Sequence, residues 1–250
     1  MTIAQSSVTS RVYSATKVIE WRNLPVMIVL GVGAIFMLLP FLRMYLNSFI
    51  VAAATTVGVV VSSAMAAFAF SRLRFPGSSL LFGLLLVGLM VPHALVVIPL
   101  FYGMAAAGLL DSLWSLILPG LASPLAIFMM RQFMEGQPRE YEEAAFIDGA
   151  SYWTIFWRIS LPQMGPPIAA LSIIVFTSSW NNFLLPLIFV RKFEVMTLPV
   201  GLLGLSDSFG ALSLSVIMAA VTMCVLPLLV VFLVAQRFIV ESIASTGIKR

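Results

Sequence analysis

The sequence contains few charged residues for its length. Only 10% of its 250 residues are Asp, Glu, Lys or Arg, whereas a soluble domain carries about 25%. Apolar residues make up 61% of the chain, and the mean hydropathy is +1.07. This composition leaves too little polar surface for a fold surrounded by water, so it predicts an integral membrane protein.

Cysteine, histidine and lysine are also scarce, and each scarcity excludes a class of site. The single cysteine, Cys224, excludes an intrachain disulfide and cannot by itself form a zinc site. No lysine follows a glycine, which excludes the Gly-Lys-Ser/Thr loop that binds the phosphates of ATP. The chain has one histidine and no Gly-x-Ser-x-Gly, so no catalytic constellation is recognisable. We therefore expect no enzyme activity, no metal centre and no cofactor in this chain.

The net charge of +4 comes from basic residues that are scattered singly. Nucleic-acid binding proteins concentrate Lys and Arg in a stripe or patch. The sequence shows no such stripe, so we expect no nucleic-acid partner.

Long apolar runs account for most of the chain. A helix needs about 20 apolar residues to cross the hydrocarbon core, and a charge at mid-membrane costs roughly 2.5–3.5 kcal/mol. The runs, none of which contains Asp, Glu, Lys or Arg, are 24–42, 48–70, 80–101, 113–130, 167–190 and 211–235. They predict an all-α integral membrane fold with six transmembrane helices, in which residues 1–23 form a cytoplasmic N-terminal segment and residues 24–250 the transmembrane domain.

The first two runs are separated by only a few residues. With Leu42 and Asn47 so close together, a tight hairpin of helices is predicted there, with Arg43 reaching the outer interface. Several later runs contain prolines, which in membrane helices produce either functional kinks or plain packing features.

Lys and Arg are distributed unevenly between the two sides of this topology. Cytoplasmic loops carry an excess of them. With the N-terminus inside, eleven lie on the cytoplasmic side, and only Arg43, Arg191 and Lys192 lie outside. Both termini are therefore predicted to be cytoplasmic.

Polar residues inside the runs suggest two alternative roles. The most polar stretch in the fifth run includes Ser178, Ser179, Trp180, Asn181 and Asn182. Its hydroxyl and amide groups either line a path for a polyhydroxyl solute or join helices by hydrogen bonds.

The single histidine, His93, lies in the third run. It is either a solute contact or proton relay, or a neutral imidazole bonded to a nearby carbonyl.

A polar loop between the fourth and fifth runs, residues 136–165, has clear helix signals. Pro138 suits a helix start, and the acidic residues after it complement the positive end of the helix dipole. Gly149 is suited to a left-handed turn, and Ser151 to capping a second helix limited by Pro162. The second helix is rich in aromatic residues, which serve either as interfacial anchors or as a docking surface.

The same loop resembles a known motif. Glu143-Ala144-Ala145, Gly149, Ile159 and Leu161-Pro162 match in type and spacing the EAA loop of binding-protein-dependent ABC importer permeases. Asp148-Gly149-Ala150 is similar to the carbohydrate branch, the second permease of maltose-type importers. Further matches are Asn47-Ser48, residues 72–77, Ser179-Trp180-Asn181, residues 197–202 and Gln236-Arg237.

This resemblance implies a type I ABC importer permease fold in a bacterial inner membrane. It implies that the loop is a coupling helix that docks on a cytoplasmic ATPase dimer, which binds ATP and Mg. Further implied partners are a second, homologous permease and an extracytoplasmic solute-binding protein. The implied coupling residues are Glu142, Glu143, Ala144, Ala145, Asp148, Gly149, Ile159, Leu161 and Pro162. One departure is the missing external loop between the first two spans.

The implied function is a permease for a sugar or sugar-like solute. Glycerol phosphodiesters, polyols and amino acids are alternative solutes. An ATP-independent secondary carrier or channel is an alternative of another class, although no carboxylate lies in any apolar run and no inverted repeat is evident.

Overall fold

The computed structural model describes residues 24–208, 218 and 221–233. All regular secondary structure in these ranges is helical, as the composition predicts. The chain divides into two units, residues 1–43 and 44–250, and the packing described below is that of the second unit. The predicted cytoplasmic segment 1–23, the Gln236-Arg237 match and both termini lie outside the described residues.

The first helix, α1, is much longer than predicted. It runs from Leu24 to Arg72 without interruption, so the predicted hairpin between residues 42 and 47 is wrong. The physical reason is local. The sequence from Leu42 to Asn47 contains neither glycine nor proline, so nothing in it breaks the backbone hydrogen bonding of a helix.

The next two apolar runs form pairs of bent helices. Helix α2 (Ser78–Leu89) and helix α3 (His93–Ala106) meet at an angle of 105° around Pro92. Helix α4 (Trp114–Ile117) continues as a 3₁₀ turn, Leu118–Gly120, and meets helix α5 (Pro124–Glu135) at 43°. Proline lacks an amide hydrogen and disfavours helix at the residue before it, so breaks at these positions follow from the sequence.

The remaining helices are mostly short. Between α5 and the fifth apolar run lie α6 (Glu140–Ile147), α7 (Tyr152–Ile155) and α8 (Leu161–Gln163). The fifth run itself is divided into α9 (Gly165–Trp180) and α10 (Leu184–Phe189). A 3₁₀ turn, Phe193–Val195, precedes α11 (Leu198–Ser208), and α12 (Val221–Leu233) is the described part of the sixth run.

The predicted count of six transmembrane helices is not confirmed. Among the described residues, one helix, Phe41–Arg72, is long and apolar enough to cross a membrane. Up to four spans result if each of three bent helix pairs is one span. The runs are apolar enough, but their prolines and polar residues divide them into pieces shorter than the roughly 20 residues of a full crossing.

Helix α1 contributes to all three clusters of buried apolar side chains. Val59, Ala64, Ala67 and Phe68 pack in one cluster with residues of α5, α7 and α9. Val51 packs in a second with residues of α3, α4 and α10. Met44 and Ala52 pack in a third, against Phe176, Trp180 and Leu198. Residues 44–72 are therefore the element around which the described helices are arranged.

Small residues permit close approach to α1. A Cβ added at Gly58 would overlap the side chain of Leu121. Ser62, one turn further on, donates its hydroxyl to the carbonyl of Leu121 at 2.6 Å. The turn between α4 and α5 is thereby held against the middle of α1.

Candidate functional site

The 136–165 loop folds locally much as its sequence predicts. Helix α6 carries acidic residues in its first turn, where they are favoured by the helix dipole. Gly149 has a φ of +81°, the left-handed conformation expected of it. Ser151 caps α7 by accepting a hydrogen bond from the amide of Thr154 at 3.3 Å.

The prediction that Pro162 limits the second helix is wrong. The chain remains helical through a π-helical segment, Phe156–Ser160, and through α8, and it bends by 77° only at Met164. In a π-helix the hydrogen bonds run from residue i to i−5. The wider turn before Pro162 provides room for its ring, which would otherwise clash with the carbonyl four residues earlier.

The loop presents an exposed surface that is both acidic and apolar. Glu143, Ala144, Asp148 and Gly149 are exposed, and Ile147 is 87% exposed. Large exposed side chains around them are Tyr141, Phe146, Tyr152, Trp153 and Trp157. We call this set of residues the loop surface. Exposed large apolar side chains grouped in this way mark a site of contact with a partner or with the membrane.

Ring contacts join the two helices of the loop to each other and link neighbouring turns of the second one. The ring of Phe146 on α6 packs edge-on against that of Tyr152 on α7, with centroids 4.7 Å apart. Trp153 and Trp157 are in similar contact at 5.7 Å. The loop surface is therefore a packed unit.

Several predicted coupling residues attach the loop to the protein instead of facing outward. Ala145, Ile159 and Leu161 pack against the buried cluster formed by α1, α5, α7 and α9. Pro162 is exposed.

Glu142 was predicted with the docking residues, but the structure buries it. Only 8% of its side chain is exposed, and its Oε2 lies 2.7 Å from Nε of Arg72, whose side chain is 4% exposed. The hydroxyl of Ser160 donates to Oε1 at 2.9 Å. Three segments thus meet at one carboxylate: the end of α1, helix α6 and the π-helical segment.

Backbone carbonyls also take part in this junction. Nη2 of Arg72 donates to the carbonyl of Gln137 at 3.3 Å. Nη2 of Arg139 donates to the carbonyl of Ser71 at 3.1 Å. We call Arg72, Glu142, Ser160 and Arg139 the Arg72 junction. Sequence reasoning missed it, because a pair of residues 70 positions apart leaves no periodic signal.

A second polar junction lies at the other end of α1. Nδ2 of Asn47 donates to the carbonyls of Glu194 at 2.9 Å and Met196 at 3.0 Å. The hydroxyl of Ser48 accepts from the amide of Leu198 at 2.8 Å. We call Asn47 and Ser48, with their backbone partners, the Asn47 junction. The sequence indicated these residues only as part of the family resemblance.

The segment after α10 is also held by a carboxylate. Oδ1 of Asp111 accepts hydrogen bonds from the amides of Arg191 at 2.5 Å and Lys192 at 3.0 Å. These donors favour the ionised form and hold the pKa of Asp111 below its usual value. Asp111 itself has a φ of 57°, a conformation that Asp tolerates better than most residues.

The polar stretch of the fifth run is divided between the core and the surface. Trp180 is 1% exposed, stacks on Phe176 and donates its Nε1 to the carbonyl of Cys224 at 3.1 Å. Ser178 and Asn181 are exposed, and Ser179 is half-buried.

Asn182, also half-buried, accepts a hydrogen bond from the amide of Leu185 through Oδ1 at 3.4 Å. It therefore supports the first turn of α10. The structure gives Asn182 a local structural contact and Trp180 a core position, and it leaves Ser178 and Asn181 exposed.

His93 is the first residue of α3 and is exposed. Its imidazole makes no hydrogen bond to the part of the chain that the structure describes, so the predicted bond to a nearby carbonyl is not found. Within the same residues there is no cluster of three or more His, Cys, Asp or Glu that could hold a metal ion.

Comparison with known proteins identifies a family match. Residues 58–245 match the family described as "Binding-protein-dependent transport system inner membrane component". The matched range includes both helices of the loop and the polar stretch.

Relatives of similar sequence are transport permeases. The arabinooligosaccharides transport system permease protein AraQ of Bacillus subtilis is 34% identical over 209 residues, which cover 84% of this chain and 74% of the relative. Its counterpart from Halalkalibacterium halodurans is 36% identical over 75% of this chain and 67% of the relative. The sn-glycerol-3-phosphate transport system permease protein UgpE of Yersinia pestis is 37% identical over 83% of this chain and 74% of the relative.

A solved structure has the same fold. One chain of a bacterial ABC transporter involved in the import of the acidic polysaccharide alginate superposes with a TM-score of 0.64. The superposition covers 87% of this chain and 78% of that chain, at 22% sequence identity.

Proposed function

Because the chain belongs to the family of inner membrane components of binding-protein-dependent transport systems, we propose that it is one half of the translocation pore of an ATP-driven sugar importer. Membership confirms the resemblance inferred from the EAA loop and supports a transport subunit without an enzymatic role of its own. The proposed complex adds a second permease, a cytoplasmic ATPase dimer that binds ATP and Mg, and an extracytoplasmic solute-binding protein.

The observation that carries this proposal is the loop surface. Glu143, Ala144 and Gly149 are exposed on a loop whose other side is fixed to the core by Ala145, Ile159 and Leu161. The loop surface combines small, acidic and aromatic side chains, and its other side is packed against the core. Such a surface is suited to dock in a groove of a partner. We assign that partner as the ATPase, with Glu143, Ala144, Asp148 and Gly149 at the contact.

The orientation follows from the same proposal. The loop surface and the Arg72 junction face the cytoplasm, and the Asn47 junction and residues 191–198 face outward. On the inner side, Arg72 and Arg139 each bond to the backbone near the other at the Arg72 junction. On the outer side, the amides of Arg191 and Lys192 bond to Asp111. For the two chain ends, a cytoplasmic location stays a prediction.

The solute class rests on the relatives and on side-chain chemistry. The relatives named above serve arabinooligosaccharides and sn-glycerol-3-phosphate, both of which carry several oxygen atoms. Ser178 and Asn181 offer hydroxyl and amide groups that donate and accept hydrogen bonds. We propose a polyhydroxyl solute, with these two residues on its path, Ser179 beside them and His93 as a further candidate.

Co-purification tests the ATPase assignment. The chain is tagged, extracted in mild detergent and analysed by mass spectrometry as wild type and as Gly149→Arg. The wild type is expected to retain an ATPase and a second permease, and Gly149→Arg to lose the ATPase. A wild-type chain that purifies alone and still moves solute in vesicles contradicts the importer proposal and supports the carrier alternative.

Gly77→Arg is a matched control. Gly77 has a φ of +82° against +81° for Gly149, and no atom lies within 4 Å of a Cβ added at either position. Both variants therefore carry the same backbone strain, but only Gly149 belongs to the loop surface. Gly77→Arg is expected to retain the ATPase.

A further inference from the structure

Helix α1 carries a polar junction at each end of its membrane-crossing part. Asn47 and Ser48 hold residues 194–198, and Arg72 holds α6 and the π-helical segment through Glu142 and Ser160. The two junctions are separated by 25 residues of continuous helix, or about 37 Å at 1.5 Å per residue. That length exceeds the roughly 30 Å of the hydrocarbon core.

The contacts at the two ends are hydrogen bonds at one end and a buried ion pair at the other. At the Asn47 junction, three hydrogen bonds of 2.8–3.0 Å join side chains of α1 to the backbone of residues 194–198. At the Arg72 junction, an ion pair of 2.7 Å joins α1 to α6. A displacement of either loop is therefore transferred to the helix end that it contacts.

The helix between the junctions is suited to transmit such a displacement. It has no break from Asn47 to Arg72, and its apolar side chains pack in all three buried clusters. Close-packed interiors transmit displacement instead of absorbing it.

We propose that residues 47–72 of α1 are a strut that links the 191–198 segment to the 136–165 loop, with Asn47 and Arg72 as its positioning residues. This inference rests on the proposed function for its meaning in transport, in which the position of the outer 191–198 segment is communicated to the ATPase-docking loop. The physical link between the two segments is formed within this chain and does not depend on the proposed function.

Hydrogen–deuterium exchange tests the strut directly. The full chain is purified in its complex and measured by mass spectrometry as wild type and Asn47→Ala. Asn47→Ala is expected to raise exchange in residues 191–198 and also in residues 137–163, the latter by about fivefold, the lower end of coupling between distant sites. A merely local role predicts an increase in residues 191–198 alone, and that result overturns the proposal.

The reciprocal variant removes both charges of the buried pair. Arg72→Met with Glu142→Gln leaves no uncompensated charge and is expected to raise exchange in residues 191–198, because coupling between two sites is reciprocal. An effect confined to residues 137–163 contradicts the strut.

Two further variants control for effects that do not pass through α1. Thr56→Val is the matched control, because the Thr56 hydroxyl bonds to the carbonyl of Ala52 in the same helix, at 2.7 Å, and to nothing else among the described residues. This variant should change exchange in neither segment. If Asn47→Ala also raises exchange throughout α9, the variant disturbs the packing generally. Ser48→Ala is then measured in its place, since it removes one hydrogen bond instead of two. Loss of the ATPase from the complex bears on the proposed function, whereas the exchange pattern bears on the strut.

Discussion

The two ends of α1 are attached to the rest of the protein by different chemistry. At the Arg72 junction, two buried charged side chains pair with each other. At the Asn47 junction, neutral side chains bond to backbone groups of residues 194–198. Removing one partner of a buried ion pair leaves an uncompensated charge, whereas removing the Asn47 amide leaves two neutral carbonyls without that donor. The two ends should therefore respond very differently to substitution.

The largest effect is expected at the Arg72 junction. Arg72→Met should lower the free energy of unfolding by about 3–5 kcal/mol, because Glu142 remains buried without its partner. Thermal unfolding in detergent measures the change.

The paired variant Arg72→Met with Glu142→Gln is the control and should recover most of that loss. If single and paired variants are equally unstable, lost packing and not the uncompensated charge is responsible.

A smaller effect is expected at the Asn47 junction. Asn47→Ala removes two hydrogen bonds to backbone carbonyls and should cost about 1–3 kcal/mol, at about 0.5–1.5 kcal/mol for each bond. The same unfolding measurement applies, with Thr56→Val for comparison. A loss as large as that of Arg72→Met would remove the distinction between the two ends.

The smallest effect concerns Asp111, whose carboxylate holds residues 191 and 192. Because its pKa is lowered in the folded protein, the ionised carboxylate of Asp111 contributes to the free energy of unfolding at neutral pH. That contribution disappears as the pH falls from about 4, the usual value for Asp, through the lower folded pKa. Asp111→Asn should therefore melt at a slightly lower temperature than wild type at neutral pH, and the difference should vanish in acid. A difference that is independent of pH would show that the charge of Asp111 is irrelevant.

The sequence predicted local structure well where one or two residues decide it. Gly149 adopts its left-handed conformation and Ser151 caps its helix, since both depend on the backbone a few residues away. The EAA spacing also identified the family, which residues 58–245 confirm.

Features that depend on distant residues were not predicted. The pairing of Arg72 with Glu142 and of Asn47 with residues 194 and 196 is fixed by how helices pack. The hydropathy pattern predicts the apolar runs but not where the helices within them are interrupted, because the same proline can either kink a helix or end it. Trp180 was considered for the solute path, and only the packing against Phe176 and Cys224 places it in the core.

The most direct test of the importer account is a cross-link from the loop surface. Cys224 is the only cysteine, so Cys224→Ser provides a background in which Ala144→Cys, on the loop surface, and Ser178→Cys, on α9, each carry one thiol. With a thiol-reactive photo-cross-linker in native membranes, Ala144→Cys is predicted to yield a product that contains an ATPase subunit, identified by mass spectrometry, and Ser178→Cys is not. A product from Ala144→Cys that contains lipid alone, or the same ATPase product from both positions, would contradict the account.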